Sequence, residues 1–189
     1  MKKFVPLLWI GGIGLVIIII VGMFFGTYNS LVTKSQAIDG QWAQVETQYQ
    51  RRFDLIPNLV NSVKGIMAQE VKVFDDIAQA RSKYAGATTV NEKAVAGGQV
   101  ETALARLLVV MEAYPQLRSV ETVTQLMDEL AGTENRISVE RRRFNDLVRD
   151  YNTAILRVPT NIIASMFNFG PREYFQSVSG SDLAPKVEF

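Results

Sequence analysis

The sequence predicts an all-α protein: an N-terminal transmembrane helix followed by an antiparallel bundle of three long helices plus a short fourth helix. Three observations carry this reading. Residues Phe4 to Phe25 contain no charged side chain. The segment after them repeats apolar residues at helical spacing over 40 residues. No stretch of useful length alternates with the period of a strand. The boundaries that follow are a membrane anchor over 1–27, a helical bundle over 28–170 and an extended tail over 171–189.

The uncharged run is 22 residues long. Roughly 20 residues at 1.5 Å each cross a hydrocarbon core of about 30 Å. The apolar stretch of a cleaved signal peptide is usually about 7–15 residues. Here the run is longer, GTYNS after it is a poor cleavage site, and no Cys offers lipid attachment. The segment reads as an uncleaved, single-pass anchor whose partner is the lipid bilayer. Lys2 and Lys3 precede it, and Lys34 is the one basic residue soon after it. That asymmetry favours a cytoplasmic N-terminus and an extracytoplasmic C-terminal domain. Gly11, Gly14, Gly22 and Gly26 share one helix face, and Gly22 with Gly26 forms a G-x-x-x-G pair. Small-residue faces let membrane helices approach closely, so a homo-oligomer through this face is one expectation.

Beyond the anchor, Ile38, Trp42, Val45, Tyr49, Phe53, Ile56, Val60, Val63, Met67, Val71, Phe74 and Ala78 recur every 3.64 residues. A straight α-helix has 3.6 residues per turn. The spacing predicts one nearly straight amphipathic helix from about Tyr28 to Tyr84, a rod of roughly 85 Å. Pro57 lies inside it without breaking the phase, which predicts a kink rather than a stop. Ala85–Thr89 then turns the chain. Thr89 and Glu92 make a T-x-x-E capping box, predicting a second helix over about Asn91 to Ala113. Pro115 ends it or opens the next. A third helix is expected over about Leu117 to Leu156, with Val120, Met127, Leu130, Ile137, Phe144, Val148, Tyr151 and Ile155 on one face. Pro159 stops it, and a short fourth helix follows over about Thr160 to Phe167. Helices joined by short loops bury their stripes on one another. The tail, with Gly180 and Pro185, reads as extended and partly packed.

Composition limits the chemistry. The chain has no His and no Cys. It therefore lacks the commonest general base and metal ligand, and every thiolate nucleophile or thiolate zinc site. A net charge of +1 argues against a nucleic-acid partner. Asp75-Asp76 and Asp128-Glu129 are adjacent pairs, which point about 100° apart on a helix and do not converge. No phosphate loop or calcium loop is present. No enzyme activity and no cofactor are expected.

Polar residues interrupt the stripes at two places. Arg51, Arg52, Asp54 and Asn58 surround Pro57, and Glu134, Asn135, Arg141, Arg142 and Asn145 lie on the third helix. Antiparallel packing would bring these sets together midway. They form either a ligand or partner site, or a network of Arg–carboxylate and Asn–backbone bonds that fixes helix register. Arg141 to Arg143 spread over three directions and read as a solvated face.

The motifs carry a resemblance. Tyr28-Asn29-Ser30-Leu31-Val32, Trp42, and the run Arg51-Arg52-Phe53-Asp54-Leu55-Ile56-Pro57-Asn58-Leu59-Val60 come first. Glu112-x-Tyr114-Pro115-x-Leu117, Thr133-Glu134-Asn135-x-Ile137 and the closing Lys186-Val187-Glu188-Phe189 follow. Over nearly its whole length the chain resembles the bacterial LemA proteins. Phe144 stands where that family usually has Tyr, and Ile66-Met67 where an aromatic is more usual. The resemblance implies a membrane-anchored helical bundle of the cell envelope with no recognised catalytic residues. It implies no activity, although such proteins often occur alongside membrane metalloproteases or TPM-domain proteins. The expectation is a non-enzymatic adaptor or scaffold; the alternative is a regulatory or signalling subunit of a membrane protease or envelope-stress system. Descriptions of the family that place the short N-terminus outside imply the alternative topology, with a cytosolic bundle.

Overall fold

The computed structural model describes residues 5–176. They form helix α1 (Val5–Lys64), α2 (Val71–Gly86), α3 (Val90–Met111), a 3-10 turn (Pro115–Ser119), α4 (Glu121–Leu156) and α5 (Thr160–Met166). No strand occurs among the described residues. The described residues divide into two units. One takes residues up to Gly40 together with Asp146–Arg172, and the other takes Gln41–Asn145 and the residues from Glu173 onward.

The expected single helix from Tyr28 to Tyr84 is not what forms. The helix runs through Pro57 and ends at Lys64. Gly65 to Glu70 then turn the chain, with the N–H groups of Ile66 and Met67 both donating to the Val63 carbonyl at 3.0 and 2.9 Å. Met67 is fully buried and pins the turn. In one straight helix Tyr49 and Tyr84 would stand about 50 Å apart. Their ring centroids are 4.6 Å apart, so α2 comes back to α1. The roughly 85 Å rod is therefore ruled out. The apolar stripe had kept its phase across the turn by coincidence. Val71 is exposed, and α2 buries Ile77, Ala80 and Tyr84 rather than Ala78.

The capping box forms as the sequence predicts. Glu92 N–H donates to Thr89 Oγ1 at 3.1 Å, and Thr89 N–H donates to Glu92 Oε2 at 3.1 Å. Pro115 opens the 3-10 turn rather than a long helix, and α4 starts at Glu121.

In the unit built on Gln41–Asn145, contacts between α1 and α4 run in opposite chain order. Gln41 donates to Glu140, Trp42 stacks on Phe144 with centroids 5.3 Å apart, and Arg52 reaches Glu134. In the other unit, Leu31, Ile38, Val148, Tyr151 and Ile163 are buried. Arg172 donates to both carboxylate oxygens of Asp39, at 3.0 and 3.1 Å. Asn168, with φ 56°, takes the left-handed conformation that Asn tolerates and turns the chain after α5.

The N-terminal part of α1 is long and apolar enough to cross a membrane. Its large side chains, Ile17 to Ile20 among them, lie exposed. Helix α3 also meets that test, but Val100, Ala103 and Leu107 are buried inside the protein, as in a core helix. The face of Gly11, Gly14, Gly22 and Gly26 is open within the chain: a Cβ at any of them would meet nothing within 4 Å. Of the expected tail, residues 171–176 are non-helical and Phe175 is buried. Residues 177–189, including the terminal Lys186-Val187-Glu188-Phe189, lie outside the described residues.

Candidate functional site

A charged cluster occupies the middle of the larger unit, where α1, α3 and α4 meet. Arg52, the largest of the fully buried side chains, is 2% exposed. Burying a guanidinium is costly unless its N–H groups are paired. Its Nε donates to Thr133 Oγ1 at 3.2 Å and its Nη2 to Glu134 Oε2 at 2.5 Å. Nη1 has no hydrogen-bond acceptor among the described residues and lies 3.9 Å from Glu101 Oε1. Thr133 can accept because its own hydroxyl proton goes to the Leu130 carbonyl, at 2.7 Å.

A second guanidinium completes the cluster. Arg141 donates to Glu101 and to the hydroxyl of Tyr49. Its plane lies over the Phe175 ring, 4.6 Å from the centroid, and over Tyr49 at 5.3 Å. Tyr49 is wholly buried and fits only because position 97 is glycine. A Cβ there would stand 2.8 Å from Tyr49 Cζ and 3.1 Å from Cε1.

Electrostatics follow from this burial. Desolvation, then the neighbouring Glu134 charge, push the Glu101 carboxyl up to about 7, while Arg52 pulls the other way. Desolvation lowers Arg141 to about 10, so it stays cationic at neutral pH. Nearby, Lys93 pairs with Glu46, and burial raises the Tyr84 hydroxyl further above its ordinary value. Beside Arg52 lies a cavity of about 440 Å³, walled by Leu59, Leu104, Leu107, Met127 and Leu130 with Glu101 and Glu134. No group of three acidic side chains placed to hold a metal occurs among the described residues.

Of the residues singled out from sequence, Arg52 and Glu134 meet directly. Asn145 borders the cluster indirectly, holding Phe175, over whose ring Arg141 lies. Arg51, Asp54, Asn58, Asn135 and Arg142 are exposed, and Asp54 accepts from Gln50 on its own helix at 2.8 Å. Arg141, one of the third-helix polar set, joins the cluster as well, so the reading of Arg141 to Arg143 as a solvated face fails at Arg141. Arg141 falls four residues after Ile137 and three before Phe144, in phase with the buried stripe. Tyr49, Glu101 and Thr133 join it without having been expected there.

This geometry sits in a stretch that comparison with known proteins also picks out. The profile of the LemA family matches residues 41–189. The chain belongs to the LemA family. Among its LemA-family relatives is magnetosome protein MamQ 2 of Paramagnetospirillum magneticum, 29% identical over 181 residues, covering 82% of this chain and 66% of the relative. The chain thus spans just under two thirds of that relative's length. MamQ of Magnetospirillum gryphiswaldense is 26% identical over 189 residues, covering 85% and 70%. Protein LemA of Metamycoplasma hominis is 23% identical over 165 residues, covering 85% and 75%.

Proposed function

We propose that this LemA-family chain is a membrane-anchored, non-enzymatic helical adaptor or scaffold of the bacterial cell envelope. One observation carries the reading. Helix α1 holds the uncharged run and then, unbroken to Lys64, supplies Leu31, Val45, Tyr49 and Arg52 to buried positions. A folded domain whose first core helix is also its membrane helix needs no linker. On this reading the long helices form an antiparallel bundle, supported by the opposed order of the α1–α4 contacts. The charged cluster then serves register: each carboxylate in it is engaged by a guanidinium of the same chain. The relatives named as magnetosome proteins support work at a membrane.

Co-purification of the full chain from mild detergent tests the role. A single self-associated species supports the scaffold. A stoichiometric foreign chain, such as a membrane protease or a TPM-domain protein, replaces it with a regulatory subunit. Topology is read with Ser82→Cys, an exposed site on α2 in a cysteine-free chain. Labelling of intact cells by an impermeant maleimide puts the domain outside the cytoplasmic membrane. Labelling only after lysis puts it in the cytosol.

A further inference from the structure

The smaller unit carries an unpartnered apolar corner beside a basic crevice, both at the end of the apolar run. The uncharged segment of α1 ends at Phe25. Helix α5 folds onto that end: the Phe167 ring is 5.8 Å from Phe24 and 4.8 Å from Tyr28. The C-terminal end of α5 therefore lies level with the last turn of the apolar run, and the corner between α4 and α5 borders Thr27 and Ser30 just beyond it. Its large side chains face outward, with Leu156 77%, Val158 78%, Ile162 58% and Met166 63% exposed. So many large apolar groups on so short a stretch mark a contact surface.

Between α1 and α4 on the same unit lies a crevice of about 540 Å³. Lys34, Arg149 and Arg157 line it, with hydroxyls from Thr27, Ser30, Thr153 and Thr160, and Asp150 as its one carboxylate. Arg149 is shared with Asp146 and Asp150, at 2.8 and 3.4 Å. Lys34 and Arg157 make no ion pair among the described residues. At 1.5 Å per residue, Thr27 and Ser30 lie about 2 and 6 Å beyond Gly26, within the thickness of a headgroup layer. Lys34 lies about 12 Å beyond it and has the stem to reach back.

We propose that the α4–α5 corner enters the leaflet from which α1 emerges, and that the crevice holds the phosphate of an anionic phospholipid there. This rests on the membrane-anchor reading of α1. Two cations that make no ion pair among the described residues, and a set of hydroxyl donors, suit a phosphate dianion or diester. The apolar corner beside them suits the acyl chains of the same lipid, for which a free phosphate has no use.

The test uses the full chain in vesicles of phosphatidylcholine, alone or mixed with phosphatidylglycerol. Single cysteines at Ile18 and Val158 carry an environment-sensitive fluorophore. Both labels should show blue-shifted emission and be quenched by lipid-borne nitroxides. In native mass spectrometry the chain should retain phosphatidylglycerol over phosphatidylcholine. Lys34→Gln with Arg157→Gln should lower that preference roughly fivefold for each charge removed, with the Val158 label still in lipid. A water-exposed Ile18 label overturns the anchor reading itself. An Ile18 label in lipid with a Val158 label in water overturns this inference alone. If inorganic phosphate displaces phosphatidylglycerol from the detergent-solubilised chain, the crevice is a site for free phosphate instead. An unchanged lipid preference in the double variant removes the crevice from the proposal. Because Val158 is probed in an otherwise natural sequence, poor folding of that variant leaves the corner testable.

Discussion

The side-chain amide of Asn145 holds Phe175 by both of its backbone groups. Phe175 N–H donates to Asn145 Oδ1 at 2.8 Å, and Asn145 Nδ2 donates to the Phe175 carbonyl at 3.0 Å. In the other unit Asn152 treats Arg172 the same way, with both bonds at 2.9 Å. An amide presents one acceptor and two donors, so it satisfies an extended residue as a strand neighbour would. Asn145→Ala should release Phe175 from α4. Two hydrogen bonds at about 0.5–1.5 kcal/mol each put the cost at roughly 1–3 kcal/mol. Hydrogen exchange at the Phe175 amide should rise sharply while exchange in α2 stays unchanged. Equal protection in both proteins would show that the Phe175 ring alone holds the segment.

Arg52→Ala should be among the most damaging single changes in the larger unit. It leaves Thr133 and part of Glu134 without their donor and opens space beside the cavity. Removing one partner of a buried pair costs about 3–5 kcal/mol. Glu134→Ala should cost clearly less, because the Glu134 side chain is about half exposed. Urea midpoints of the two variants and of the double variant decide this. Equal losses for Arg52→Ala and Glu134→Ala would mean the pair itself, rather than the buried guanidinium, dominates.

Two glycines on helices should respond in opposite directions. Gly132→Ala places a methyl in open space within α4 and should stabilise by about 0.5–1 kcal/mol. Gly97→Ala gains the same helix preference but drives its methyl into Tyr49, which is buried and tethered by Arg141. Overpacking typically costs about 1–3 kcal/mol, so the net change should be a loss. Thermal melting of both variants is the check, and a stabilised Gly97→Ala would show that Tyr49 can swing away.

Stability should fall as pH rises from about 4.5 to about 7 because of Glu101. Its folded value, about 7, lies above the ordinary 4.5, so the folded state holds the proton more tightly. The contribution is complete below about 4.5 and is lost as pH rises through about 7. It amounts to at most about 3 kcal/mol. Burial sets most of its size, with Glu134 adding to it and Arg52 opposing it, and Tyr49 and Arg141 face the same carboxyl. Glu101→Gln should flatten the pH dependence of the urea midpoint across that window. An unchanged slope would assign the effect to another group.

Pro57→Ala should raise the melting temperature. Proline inside a helix removes one hydrogen bond and costs about 3 kcal/mol relative to alanine, and α1 continues through it regardless. A clear loss of stability would mean that the Pro57 ring is needed where it packs.

How much of this was legible depended on range. The α3 cap lies within four residues, and Thr89 with Glu92 announced it. The arginine–carboxylate pair of Arg52 and Glu134 followed from two polar interruptions in opposed stripes. The turn at Gly65 did not show, because Met67 is equally apolar as a helix position and as the anchor of a turn. Only the return of Tyr84 to Tyr49 distinguishes the two. Glu101 was hidden for a related reason. Beside the buried Val100 it looks like a surface residue of α3, and its role appears once α1 and α4 bring two guanidiniums to it. Arg51, Asp54, Asn58, Asn135 and Arg142 share local sequence with the cluster but point off its face by one or two helix positions.

The separation along the chain between Arg52 and Glu134 also bears on how the protein is made. They are 82 residues apart, whereas α2 and α3 are joined by three residues and pack on each other. Local pairs close early, and distant ones must wait for the chain between them. At about 5–20 residues per second, translation leaves Arg52 without its carboxylate for roughly 4–16 seconds. Burying that face of α1 during that time would leave the guanidinium without Glu134. The expected order is the α2–α3 hairpin first, with the guanidinium entering the interior as the last long helix arrives with its partner.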